Sequence, residues 1–187
     1  MGAVLVALAA QVSIPLPGTP VPMTLQPMAV LLVGGLLGAR LGALSMILYL
    51  AMGAAGLPVF TPSPVLLPGI GRLFGQTGGY LLAYPVAAWA VGWFVSRALT
   101  GRARLETAPL QGAAGAEPGL LARVTLSVLV GLVLIHLGGL AQLAIITGSI
   151  AGAARLATWP FLLGDLLKLA VLVPVLAKLT PTIRARL

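Results

Sequence analysis

Cysteine is absent from these 187 residues, histidine occurs once, and only three residues are acidic. Without cysteine there are no disulfides, thiolate metal sites or cysteine nucleophiles, and a lone histidine makes a zinc site untenable. Charged residues amount to 7% of the chain against 59% hydrophobic, and the mean hydropathy is +1.10. That balance excludes a water-soluble domain and places the chain in a bilayer. The length leaves room for about six spans of roughly 20 residues with short loops, so residues 1–187 read as a single transmembrane domain. A net charge of +8 in a soluble protein suggests nucleic acid, but here the bases sit at span ends, where insertion topology explains them. No nucleic-acid partner is expected.

Apolar runs between proline, glycine and charge clusters define six segments. They are about Ala3 to Ile14, Leu25 to Ala39, Leu41 to Leu57, Gly79 to Leu99, Leu120 to Leu137 and Trp159 to Leu179. The expected fold is therefore an all-α six-transmembrane-helix bundle with proline-rich outer loops. The first segment is the shortest: even some 14 residues, counted from the first, reach only roughly 21 Å at 1.5 Å per residue, less than the hydrocarbon thickness. Its rival reading, a cleaved signal peptide, lacks the positively charged start.

Counting bases from an inside N-terminus puts Arg40, Arg97, Arg102, Arg104, Arg123, Lys178, Arg184 and Arg186 inside, and Arg72 and Arg155 outside. This bias predicts a multi-pass cell-membrane protein with both termini cytoplasmic. It also argues against a seventh span over Leu140 to Ala154, so Gly138-Gly139 is read as a break followed by a short surface or re-entrant helix. Trp93, Tyr80 and Trp159 fall near span ends, where aromatic side chains anchor at the interface.

Asp165 is the one acid inside a membrane-length apolar segment, and Lys168 is the one lysine there away from a segment end, where Lys178 lies. Either charge costs about 2.5 to 3.5 kcal/mol at a helix centre on insertion scales, so the pair marks a functional site. Spacing of three places both side chains on one helical face, roughly 9 Å below the outer end if the helix enters at Trp159. An internal salt bridge between helices is the alternative, and it explains less, because desolvation of a buried pair can exceed its Coulomb gain. Ligand binding is favoured.

Prolines crowd both long outer connections: Pro15, Pro17, Pro20 and Pro22 in the first, Pro58, Pro62, Pro64 and Pro68 in the third. Such segments favour extended backbone with little entropy left to lose, which suits a lid over the site as well as a stiff connector. The stretch from Gly101 to Gly119 reads as a mobile inner tether without chemistry, and it carries Glu106 and Glu117.

Six strings, in order, resemble one family: Gln11-Val-Ser-Ile-Pro-Leu-Pro-Gly18, Pro20-Val-Pro-Met-Thr-Leu-Gln26, Leu36-Leu-Gly-Ala-Arg-Leu-Gly42, Gly56-Leu-Pro-Val-Phe60, Thr77-Gly-Gly-Tyr-Leu81 and Pro160-Phe-Leu-Leu-Gly-Asp-Leu-Leu-Lys168. They run along nearly the whole chain and resemble the BioY family, the biotin-specific substrate-binding (S) component of energy-coupling-factor (ECF) transporters. Gln76 departs from the family pattern, which has proline there, and the residues before Gln11 are fewer than is usual, implying a trimmed start. The resemblance implies a six-helix membrane bundle that captures biotin outside and is reoriented by an ECF transmembrane coupling subunit and two ATPase subunits. ATP is then used by the partners alone and no cofactor is needed here; neither lysine follows a glycine, so the chain has no phosphate loop. Ala3 and Ala7, four apart on the first helix, have the spacing with which the family's relatives meet the coupling subunit.

Biotin offers a ureido group with two N–H donors and one carbonyl acceptor, which Asp165 and Lys168 complement in kind. Lys168 equally suits the valerate carboxylate, and the sequence leaves both orientations open. Gly78 and Gly79 permit close backbone approach of a ligand, or simply a turn and helix packing. Tyr80 stacks on the ring or anchors the interface; Gln26 and Gln76 donate to the ligand or face water. Arg72 attracts an anionic ligand or contacts a lipid headgroup. His136 is read as a solvated or hydrogen-bonded structural histidine rather than a proton relay, and Met46 and Met52 as packing.

Other functions fit worse. An intramembrane aspartyl protease needs a second acid, yet Glu106 and Glu117 lie in the inner loop. Serine hydrolysis lacks the Gly-x-Ser-x-Gly spacing, and no acid is expected to accompany His136. An S component for a different vitamin and a purely structural membrane subunit are the remaining alternatives.

Overall fold

A computed structural model describes residues 1–16, 18–63, 67–107 and 119–184, the side chains of 101–107 and 157 excepted. Pro17, Pro64, Glu117, Arg186 and the middle of the expected inner tether lie outside the described residues. The chain folds into helices α1 (Gly2–Gln11), α2 (Gln26–Leu37), α3 (Ala39–Ala54), α4 (Gly71–Phe74), α5 (Gly78–Thr107), α6 (Leu120–Thr147), α7 (Ile150–Ala157) and α8 (Leu162–Arg184), the last preceded by a 3-10 turn at Trp159–Phe161. Two short strands, β1 (Ser13–Ile14) and β2 (Met23–Thr24), pair antiparallel in the connection between α1 and α2.

Among the described residues, three segments are long and apolar enough to cross a membrane: Gly78–Thr100, Leu120–Thr147 and Ile150–Arg184. Gly2–Gln11, Gln26–Leu37 and Ala39–Ala54 are shorter apolar helices. Large apolar side chains stay outside the fold, among them Leu126, Leu129, Val133 and Leu137 on α6 and Leu163, Leu166 and Leu167 on α8. In water each forgoes about 1.5–3 kcal/mol of burial; against lipid tails nothing is lost. The protein is a membrane protein.

α5 is the hub, packed against α2, α3 and α6, while α8 closes on α2 and α6. Without a hydrophobic force between helices in lipid, close packing of small residues does the work. A Cβ built on Gly34 runs into the backbone of Ala88, one on Gly92 into Gly38 and Ala39, and one on Gly79 into the carbonyl of Gly138. Helix α8 is also tied down at its C-terminal end, where the Arg184 guanidinium donates to the carbonyls of Gly35, at 2.6 Å, and Gly92, at 3.2 Å, and to the hydroxyl of Ser96. The Gly35 carbonyl, in the last turn of α2, would otherwise be orphaned.

The sequence reading errs on the fifth segment. Gly138-Gly139 does not break the chain: α6 runs through it to Thr147, because Gly138 and Gly139 are the seats for the backbone of Gly79 and the ring of Tyr80. The break falls at Gly148, whose positive φ of 68° closes α6. The Ser149 side chain then accepts from the Gly152 amide and starts the eight-residue α7, so no seventh span forms over 140–154.

Candidate functional site

Asp165 lies in the first turn of α8 and Lys168 one turn further on. One carboxylate oxygen of Asp165 accepts from Lys168 Nζ at 2.9 Å, and the other lies 2.5 Å from His136 Nε2 on α6. Asp165 and Lys168 are only 8% and 6% exposed, so the couple is sunk in the protein rather than turned to lipid. It lines a small cavity of about 50 Å³ between the helices and the loops that join them.

Four walls converge there. Helix α8 supplies Asp165 and Lys168; α6 supplies Leu132, Ile135 and His136, a run spaced three and four apart on one face; α5 supplies Tyr80, Leu81 and Tyr84. Loop residues Val21, Pro22, Thr24, Phe60 and Thr61 complete the enclosure, so both proline-rich connections cover the cavity. The first is pinned at its far side by Thr19, whose hydroxyl donates to the Leu156 carbonyl of α7 at 2.6 Å.

Tyr80, His136 and Phe161 form an aromatic corner with ring centroids 6.1 to 6.4 Å apart, suited to flank a flat or fused-ring ligand. Opposite it, the Gln26 amide donates to Tyr49 Oη at 2.5 Å while its carbonyl accepts from Thr61 at 2.8 Å. Tyr49 in turn donates to the Val59 carbonyl at 3.1 Å. This neutral network fixes one polar wall before anything binds. The buried Thr77 Oγ1 and His136 Nδ1, both on cavity-lining residues, find no partner among the described residues, and an unmet buried polar atom costs about 1–3 kcal/mol.

The structure gathers Asp165, Lys168, Tyr80, Gln26 and Arg72 around one cavity and leaves Gln76, Gly78, Gly79, Ala3 and Ala7 outside it. Gln26 is 4% exposed and does not face water. Gln76 is half-buried outside the lining; Gly78 packs on the Leu73 carbonyl and Gly79 on α6, so these glycines serve helix packing. Ala3 is buried in the core beside Val6, and Ala7 is half-buried; the exposed row of α1 is Val4, Leu5 and Leu8. Arg72 is buried and lines the cavity instead of reaching a headgroup.

His136 is the residue that sequence reasoning missed. An acid does accompany it, 29 positions along the chain, which no local motif reveals. The available signal was its i+4 spacing from Leu132 on an inward face.

A partly enclosed, aromatic-flanked cavity carrying an ion pair among apolar helices suits a membrane-embedded protein that holds a small polar molecule. The sequence model of the BioY family matches residues 1–185, and the chain belongs to the BioY family. It is similar to a probable biotin transporter BioY of Pyrococcus horikoshii, 33% identical over 94% of this chain and 89% of that one. It is also similar to the biotin transporter BioY of Rhodobacter capsulatus, 35% identical over 90% of this chain and 83% of the relative. Among solved structures the S-component for biotin from an ECF-type ABC transporter shares the fold, with a TM-score of 0.75 at 24% identity over 95% of this chain and 86% of the other.

Proposed function

We propose that this protein is the S component that captures biotin for an ECF transporter, with the cavity between α5, α6 and α8 as its binding site. The observation that carries this reading is the Asp165–Lys168 couple buried against a cavity and held by His136. A bare internal salt bridge is poor value for stability, whereas the couple's donors and acceptors match a ureido group. Tyr80 and Phe161 then flank the fused ring, and Thr77 and Gln26 offer further hydrogen bonds. Family membership and the two full-length relatives named as biotin transporters support the same substrate.

The arrangement in the membrane is six spans within one domain, both termini cytoplasmic and the cavity near the outer face, with α7 and the proline-rich loops over it. The protein does no chemistry on biotin. A coupling subunit and two ATPases reorient it to release biotin inside, and ATP is spent on those partners. At α1 such a partner meets Val4, Leu5 and Leu8 on the exposed row, with Ala7 at its edge.

Thermal unfolding of the detergent-purified protein tests the substrate. A ligand that binds only the folded state stabilises it by about 2.7 kcal/mol at a hundredfold excess over Kd, so biotin raises the midpoint in proportion to the logarithm of its concentration. Thiamine and riboflavin do not. A rise with either of them and none with biotin assigns the S component to another vitamin.

A further inference from the structure

We propose that Arg72 receives the carboxylate of the bound biotin and makes the site selective for the free acid over neutral conjugates. The inference rests on the biotin reading above and names the group that meets the tail. Arg72 sits on the short α4, is 6% exposed, and lines the cavity that holds Asp165 and Lys168. It also lines a second, more open cleft bounded by Gln11, Leu57, Pro58 and Pro68. Phe60, Thr61 and Arg72 are common to both, so they form the partition between the cleft and the cavity.

The charges in the cavity do not balance. Both oxygens of Asp165 are engaged, one by Lys168 and one by His136, and Arg72 belongs to neither ion pair. Aspartate and lysine cancel, which leaves the arginine as the surplus charge. Burial pushes its pKa down, yet a guanidinium does not deprotonate in proteins, and a buried cation is costly until an anion meets it. Its Nε donates to the Leu67 carbonyl at 2.9 Å, which fixes the plane of the fork that carboxylates meet bidentately. A ligand that suits this site is neutral and polar at the Asp165 end and carries one negative charge at the Arg72 end. Biotin has that layout, with its tail pointing toward the cleft.

The test is calorimetric titration of the full chain in detergent with biotin and with biotinamide, in which the terminal carboxylate is a primary amide. Wild-type protein is expected to bind biotin at least about 30-fold more tightly than the amide, the scale of a buried charge left unpaired. Arg72→Gln is expected to lose that preference by weakening biotin alone, and Arg72→Lys to restore part of it. Equal affinities for acid and amide in the wild type overturn the proposal, as does an Arg72→Gln protein that still prefers the acid. Equal loss of both ligands in Arg72→Gln also overturns it, because the side chain then only holds the loop through Leu67. Absence of biotin binding by the wild type defeats the biotin reading itself, and the proposal with it.

Discussion

At the scale of single residues, the informative quantity in this chain is the rarity of charge. Asp165 and Lys168 were legible because a bilayer makes each an expense, and spacing of three makes them neighbours on any helix; the 2.9 Å contact is that geometry realised. His136 was not legible, since the bond it makes to Asp165 spans two helices and depends on their rotation about their own axes. Arg72 and Gln26 gave ambiguous signals for the same reason: polarity at a helix end or in a loop does not say which way the chain folds back. His136 positions the carboxylate, and its role differs from that of the pair. His136→Gln keeps a donor for Asp165, whereas His136→Ala leaves one carboxylate oxygen unmet at a cost of about 1–3 kcal/mol. Biotin affinity measured by titration is therefore expected to fall clearly in His136→Ala and only slightly in His136→Gln; equal effects refute the positioning role.

Helices were legible where hydropathy alone decides, and misread where packing decides. The starts of the second to sixth expected segments match helices of the fold to within a few residues. The Gly138-Gly139 pair looked like a break because glycine is a poor helix former in water. In lipid the same residue lets helices touch, and α6 spends both glycines on α5. Gly148, by contrast, does end its helix, and only its positive φ distinguishes it. The close approach of α2 to α5 gives a quantitative test. A side chain at Gly34 meets the Ala88 backbone, which cannot yield as a side chain does, so Gly34→Val is expected to lower stability by about 1–3 kcal/mol or more. Gly119→Ala, with nothing within 4 Å of the added carbon among the described residues, is the matched control; it gives up only the preference for glycine over alanine at the N-cap of α6 and is expected to cost less than Gly34→Val, at most about 1 kcal/mol.

For the molecule as a whole, composition announced the solvent, and six ordered strings announced the family whose model then matched residues 1–185. What the sequence withheld was the enclosure: the loops that close the cavity do so through contacts such as Thr19 on α7 and Thr61 on Gln26, between residues 137 and 35 positions apart. Sidedness is an expectation drawn from the bases, and the lack of cysteine makes it directly measurable. A single cysteine at Leu67, exposed near the cavity, is expected to react with a membrane-impermeant maleimide in intact cells; one at the exposed Gly119 reacts only after permeabilisation. The opposite pattern inverts the topology.

The couple in α8 is held to grip biotin, and equilibrium titration of purified protein with biotin decides whether it does. Wild type is expected to bind saturably, while Asp165→Asn and Lys168→Ala, each still eluting as a folded species, lose at least about tenfold in affinity, as removal of a charged hydrogen-bond partner implies. Wild-type affinity in both variants would show that these two groups merely hold helices together.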